Sequence, residues 1–336
     1  MVTIRGARQV ENLYKSLAEV KGSVGEKPLV LGRAGQCRFC STTDPAAFKN
    51  RAHTMPESLG NKWITSADEC DDCNRLFARY DDALAKSVAP ILTVGGTKGK
   101  NNKVRQTGRT AGPAVIRHDA AAGRRRISME VRNMPIEQCV GLDLLTGTIR
   151  FRVPVASERF VPLHAYKAIA KIGFALLPEA ELQHFTRLRE WLRSEGNPDD
   201  LVGLVVGVSF GSIGNAPPLA SGFLLRRRVE DNRLPYMVFV TSVGSVCMQI
   251  DLKSDEKDGT WPAGERGRIA LRYANVIAPP NEPELRINYG DPVHLDWSEN
   301  GLVEPMLEAI DTTVNIRTSE GQMAPIFRAS QIAQRQ

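Results

Sequence analysis

Two cysteine pairs set the first chemical possibility in this sequence. Cys37 and Cys40 sit in CRFC, Cys70 and Cys73 in CDDC, and about thirty residues separate the pairs. Each C-x-x-C spans one tight turn that presents two sulfurs to a tetrahedral ion, so together they read as a four-thiolate zinc site. Disulfides are disfavoured in a cytosolic chain, and a redox C-x-x-C has no reason to come in duplicate. Four thiolates leave zinc no open coordination position, which confines it to folding. Cys139 and Cys247 are isolated, flanked by Val140 and by Val246 and Met248. They read as small core residues.

The stretch between the pairs holds one histidine, His53, followed by Pro56, Glu57, Gly60 and Asn61. After Cys73 comes Asn74, and then Leu76, Phe77, Tyr80, Leu84 and Val88 recur at helical spacing until Pro90. Asn74 is therefore expected at the amino end of a helix. A chain that runs through a strand bearing a histidine, turns, and returns through C-x-x-C into a helix folds the histidine and the helix start toward each other. His118, His164, His184 and His294 stand alone and read as structural or solvent-facing.

The words CRFC, AHTMPESLGN and CDDCN resemble the HNH, or ββα-metal, endonucleases of the subclass braced by a four-cysteine zinc site, over roughly residues 30–93. The resemblance implies that His53 is the general base, that Asn61 steadies the connecting loop, and that Asn74 binds the catalytic Mg²⁺ or Mn²⁺. Phosphodiester hydrolysis needs a water stripped of its proton and stabilisation of charge on the phosphorane and leaving oxygens. A neutral imidazole and one divalent cation supply these. One position departs from the pattern: the acidic metal ligand that many members carry directly before the histidine is here Ala52. Either Asn74, phosphate oxygens and waters hold the cation, or a nearby carboxylate substitutes, and Glu57 is the best placed by sequence. Its other reading is a solvated turn residue or a partner for Lys62. Asp68, Glu69, Asp71 and Asp72 are expected on the outside of the zinc turn.

Charge divides the chain unevenly. Residues 1–130 hold 22 Lys and Arg against 13 Asp and Glu, whereas residues 131–336 hold 22 against 25, so the first half is the one suited to a polyanion. Within it, residues 94–113 are rich in Gly, Asn and basic side chains and read as a mobile arm. Lys98, Lys100, Lys103, Arg105 and Arg109, with Arg124, Arg125 and Arg126 beyond, are the candidates for gripping a duplex backbone. A solvated basic linker is the alternative.

The second half alternates differently. Residues 147–153 read as a strand, residues 163–176 and 179–194 as helices, and LVGLVVGVSF, ASGFLLRR, YMVFVTSV, VCMQIDL and RIALRYANVI as strands, with a hairpin around Gly244 and a late helix over residues 303–312. Gly203, Gly207 and Gly211 read as sheet glycines, and Arg226, Arg227 and Arg228 as a charged strand end or edge, with a grip on a phosphorylated ligand as the alternative. No motif in this half carries chemistry.

The expected fold class is therefore α+β. An N-terminal helix and a small zinc-braced ββα-metal nuclease domain occupy residues 1–93, a basic linker 94–139, a larger mixed α+β domain 140–320, and a tail 321–336. With 42% hydrophobic and 24% charged residues, the 336-residue chain is neither disordered nor fibrous. It has no apolar run of membrane-spanning length, and its start lacks a secretory stretch, so a cytoplasmic protein without membrane partner is expected. AHTMPESLGNK and CDDCNRLF are similar to the nuclease half of HNH effectors in bacterial cyclic-oligonucleotide anti-phage systems. That likeness implies double-stranded DNA as substrate, a nucleotide second messenger or phage-derived activator, and a homo-oligomer, with residues 140–320 as sensor, regulator or oligomerisation unit. Two alternatives stay open: a non-catalytic zinc-ribbon protein that binds nucleic acid, with His53 structural, and an HNH enzyme that cleaves RNA.

Overall fold

The computed structural model describes residues 12–23, 26–108, 112–119, 126–143, 148–195, 204–210, 219–231, 234–244, 246–258, 274–276, 286–288, 292–303 and 307–315. In chain order its strands and main helices are β1 (Tyr14–Ser23), β2 (Leu29–Leu31), β3 (Ala52–His53), β4 (Ile64–Ser66), α1 (Asp71–Ser87), α2 (Ala89–Val94), β5 (Ala114–Asp119), β6 (Arg126–Val131), β7 (Val140–Asp143), β8 (Thr148–Ala156), α3 (Pro162–Ala175), α4 (Thr186–Arg193), β9 (Val205–Phe210), β10 (Leu219–Arg227), β11 (Met237–Val243), β12 (Val246–Asp251), β13 (Ala274–Val276), β14 (Arg286–Asn288), β15 (Val293–Asp296) and β16 (Leu307–Asn315). The chain is mixed α+β, as its patterning requires.

An antiparallel sheet in the order β1-β10-β11-β12-β9-β15 forms the largest layer. Every residue of β11 is buried, which explains why MVFVTSV is apolar without a clean alternation: both faces of this strand are covered. The β11–β12 turn is the hairpin expected at Gly244, whose φ of 55° lies in the left-handed region. Helix α3 lies against β10, β11 and β12, and its Gly173 lets Phe239 approach so closely that a Cβ would stand 2.9 Å from the ring.

Three segments differ from expectation. Residues 14–23 form β1 and not a helix, paired with β10 from Tyr14↔Arg227 to Ser23↔Leu219; residues 1–11 lie outside the described residues. The late helix is also a strand. Leu307, Ile310 and Val314 imitate helical spacing, but β16 pairs with β8 along its whole length, and β-branched Ile310, Thr312, Thr313 and Val314 suit that pairing. Arg226 and Arg227 lie on an interior strand, between β1 and β11, where Arg226 pairs with buried Glu181. They are not an edge device, but they close β10, so the strand-end reading holds. Of RIALRYANVI only β13 is described, paired with β14, and Gly203 and Gly211 lie outside the described residues. Cys139 and Cys247 are buried, as expected of small core residues.

One buried cluster runs from Phe39, Phe77, Tyr80 and Leu84 through Ile169, Ile172 and Phe174 to Leu224, Phe239 and Met248. The Phe39 ring lies 4.7 Å from Phe77 and 5.4 Å from Phe174, joining the cysteine segment to α3. The expected linker carries the β5–β6 hairpin, whose Ala114 and Ile116 pack with Val94, Val153 and Val155 in a second, smaller core.

Candidate active site and metal centre

The four sulfurs of Cys37, Cys40, Cys70 and Cys73 all lie within 4.8 Å of one another. Cys37 Sγ is 3.8 Å from Cys73 Sγ, and Cys40 Sγ is 3.5 Å from Cys70 Sγ. A tetrahedral ion with zinc–sulfur bonds of about 2.3 Å sets sulfur–sulfur edges of about 3.8 Å, so the donor set fits a metal ion and is compatible with structural zinc. Local structure explains the convergence. The first pair sits on a tight turn closed by Ser41 N–H donating to the Cys37 carbonyl, and Ser41 itself takes φ 62°. Cys70 caps the amino end of α1, so Cys73 lies in its first turn.

The segment between the pairs folds as a β3 strand, a turn, an antiparallel β4 and then α1. His53 stands opposite Thr65, and Ala52 opposite Ser66. After a 3₁₀ turn at Glu57–Leu59, Gly60 adopts φ 100°, a conformation that carries the chain round toward Asn61. Asn61 is fully buried. Its Nδ2 donates to the carbonyls of Met55 and Ile64, both at 2.8 Å, and its Oδ1 accepts from Trp63 N–H at 3.0 Å and Ile64 N–H at 2.9 Å. The side chain thus ties both ends of the loop that follows the histidine. Asn61→Ala is expected to cost about 2–4 kcal/mol, because it leaves buried backbone groups unpaired; urea denaturation measures it, and an unchanged midpoint would contradict this role.

His53 is half-buried, and its Nδ1 is sealed from solvent without a hydrogen-bond partner among the described residues. Burial draws its pKa below the ordinary 6.5, Lys171, Lys62 and Arg51 push the same way, and the Glu57 carboxylate opposes them. The ring is therefore neutral at pH 7. Asn74 occupies the first turn of α1, half-buried, with its N–H donating to the Cys70 carbonyl at 2.9 Å and its carboxamide in no hydrogen bond among the described residues. Glu57 pairs with Lys62, whose ammonium also donates to the Gly99 carbonyl at 2.8 Å. Ala52 is buried and offers no ligand. Among the described residues the Asn74 carboxamide is uncommitted, and the protein carboxylate nearest His53 in sequence is engaged with Lys62.

The acidic residues around the second cysteine pair do not all lie outside. Asp68 is buried and accepts from Arg38 at 2.7 Å, and Glu69 is 2% exposed. Asp71 accepts from the N–H groups of Lys49 and Asn50, and Asp72 is exposed. Glu69 faces Lys171 of α3, Nζ to Oε2 3.1 Å. Burial pushes Glu69 up to about 7 and Asp81, behind it, up to about 6, with the Lys171 ammonium opposing both shifts. Burial draws the Lys171 pKa down, but the Glu69 and Asp81 carboxylates more than offset it and hold it above the ordinary value. Sequence reading missed this lysine. Its signal was KAIAKIGFA, where Lys167 and Lys171 stand four apart in an otherwise apolar helical run.

The basic stretch is only partly a free arm. Lys98 and Lys103 are exposed on a turn closed by the Lys98↔Val104 bridge, with Asn101 and Asn102 at left-handed φ. Beyond it the loop is packed: Thr107 is buried, pairs with Ile116, and donates to the Ala89 carbonyl at 3.1 Å. Arg105 lies near Glu158 and Asp82, at 3.7 Å and 3.9 Å, and is already partnered. Arg126 begins β6. The side chains of Lys100 and Arg126, and all of Arg109, Arg124 and Arg125, lie outside the described residues.

Among the described residues no helix is long and apolar enough to cross a membrane. No protein-family model, no curated protein and no solved structure matches this chain.

Proposed function

We propose that this chain is a metal-dependent endonuclease of the HNH type, with DNA as its substrate. One observation carries the reading: a β3–turn–β4–α1 unit, pinned by Asn61 and rooted in four clustered cysteines, holds a neutral histidine on its first strand and an uncommitted carboxamide in the first turn of its helix. In this reading the cysteines hold structural zinc. Asn74 holds Mg²⁺ or Mn²⁺ together with substrate oxygens and water, and Glu57 stays with Lys62. The bound cation supplies charge stabilisation at the scissile phosphate.

His53 takes the proton of the attacking water, for which its lowered pKa leaves it unprotonated at neutral pH. Asn61 fixes the loop so that the strand and the helix start keep their separation. Lys98 and Lys103 are placed to meet the duplex backbone as point charges. Residues 140–320, which supply five of the six strands of the large sheet, serve as the regulatory or oligomerising unit, and the anti-phage setting supplies a nucleotide activator.

Incubation of the full chain with supercoiled plasmid, single-stranded DNA and structured RNA, in Mg²⁺ or Mn²⁺ and with and without cyclic oligonucleotides, tests the reading. Duplex nicking is the expected result, and preferential loss of RNA would move the substrate. No cleavage of any of them would leave a zinc-braced binding protein. Because His53 must be neutral to act, the nicking rate is expected to fall as the ring protonates, with its half-maximal point below pH 6.5. A half-maximal point above pH 6.5 would assign the proton transfer elsewhere.

A further inference from the structure

Strand β3 is a poor platform for a catalytic base. It has two residues, and it lies at the edge of the small sheet ordered β2-β4-β3, held by strand pairing from one side alone. From elsewhere in the chain comes Lys171, fully buried in the middle of α3. Its Nζ donates to the His53 carbonyl at 2.9 Å and to the Thr54 carbonyl at 3.4 Å, meets Glu69 Oε2 at 3.1 Å, and stands over the Phe77 ring at 5.7 Å. A methionine or leucine would fill the same place in an apolar helix, and replacing buried ion pairs by apolar residues is often neutral or stabilising. What only the ammonium provides is a fork of donors that grips two successive carbonyls at and beyond the histidine while Glu69 fixes it from the side.

We propose that Lys171 is a positioning residue for His53, through which the second half of the chain sets the geometry of the base. The inference rests on the nuclease reading for its kinetic consequence but not for its structural one. Lys171 touches the backbone of residue 53 and not its ring, so its effect is on where the imidazole points. Helix α3 packs against β10, β11 and β12, so the hold on His53 is continuous with the large sheet.

The test uses the full chain with Lys171→Met and with the double variant Lys171→Met/Glu69→Gln, which removes the ammonium and its nearest counter-charge together and leaves Asp81 as the remaining acidic group of the cluster. Zinc content and melting temperature report folding. The five histidines of the chain allow the His53 ring to be followed by NMR, with His118, His184 and His294 as internal references. In the folded double variant the His53 ring signals are expected to shift and split into several conformers while the references stay in place. The kcat for plasmid nicking is expected to fall about 10- to 100-fold with KM within about twofold. A folded double variant with wild-type His53 signals and wild-type kcat would overturn the proposal. So would one that loses zinc and its melting transition, since that assigns Lys171 to the core alone. If the wild type cleaves nothing, the ring signals decide the matter unaided.

Discussion

His53→Ala is expected to lower plasmid nicking by about 10²- to 10⁴-fold, the range that a positioned general base contributes. Zinc content and melting temperature should stay close to those of the wild type. The structure gives the reason for separating activity from stability. The ring is half-buried, its Nδ1 makes no hydrogen bond among the described residues, and the contact that ties residue 53 to the rest of the molecule runs from Lys171 to its backbone carbonyl, which alanine keeps. The ladder pairing with Thr65 is likewise backbone. Removing the imidazole should therefore cost no more than about 1 kcal/mol of stability. The measurement is the nicking rate in Mg²⁺ and Mn²⁺ beside a calorimetric scan. A variant that cuts as fast as the wild type removes His53 from the chemistry; one that no longer melts cooperatively makes it a structural residue.

Cys70→Ser is expected to have the largest effect on folding. Three further sulfurs cannot close a four-thiolate shell, and a structural zinc site supplies about 10–16 kcal/mol of apparent binding energy, as much as an ordinary domain's entire stability. Cys70 also stands at the amino end of α1, and the buried Phe77 and Tyr80 of that helix belong to the same continuous core as α3 and the large sheet. The loss should spread beyond the cysteine turns, with zinc falling well below one ion per chain and the melting temperature dropping by more than about 10 °C. Treating the wild type with a strong chelator should produce the same species. A wild-type protein that carries no metal when purified from zinc-replete cells would refute the zinc assignment.

The parts of the site legible in the sequence are those written in short-range order. Two C-x-x-C turns need only local backbone geometry, and their sulfurs converge in the fold as their spacing implied. The helix after Cys73 followed from the period of Phe77, Tyr80 and Leu84, and the Gly244 hairpin from a turn residue between two strand-type runs. The loop role of Asn61 was implied by the family resemblance alone; in the structure its buried carboxamide satisfies four backbone groups.

Other features depended on which distant segment covers a given face, and no local pattern carries that information. Residues 14–23 and 307–315 look ambiguous alone and became strands because β10 and β8 offered them ladder hydrogen bonds. The basic loop after α2 is held because Thr107 found the Ala89 carbonyl and Ile116 a second small core. Glu69 and Asp68, hydrophilic by type, are buried because Lys171 and Arg38 meet them there. The cysteine spacing and the order of His53, Asn61 and Asn74 were thus determined by the sequence itself, since bond geometry and period reach only a few residues. The grip of α3 on the histidine strand was decided by the tertiary structure, because a buried charge is tolerable only where long-range packing delivers its partner.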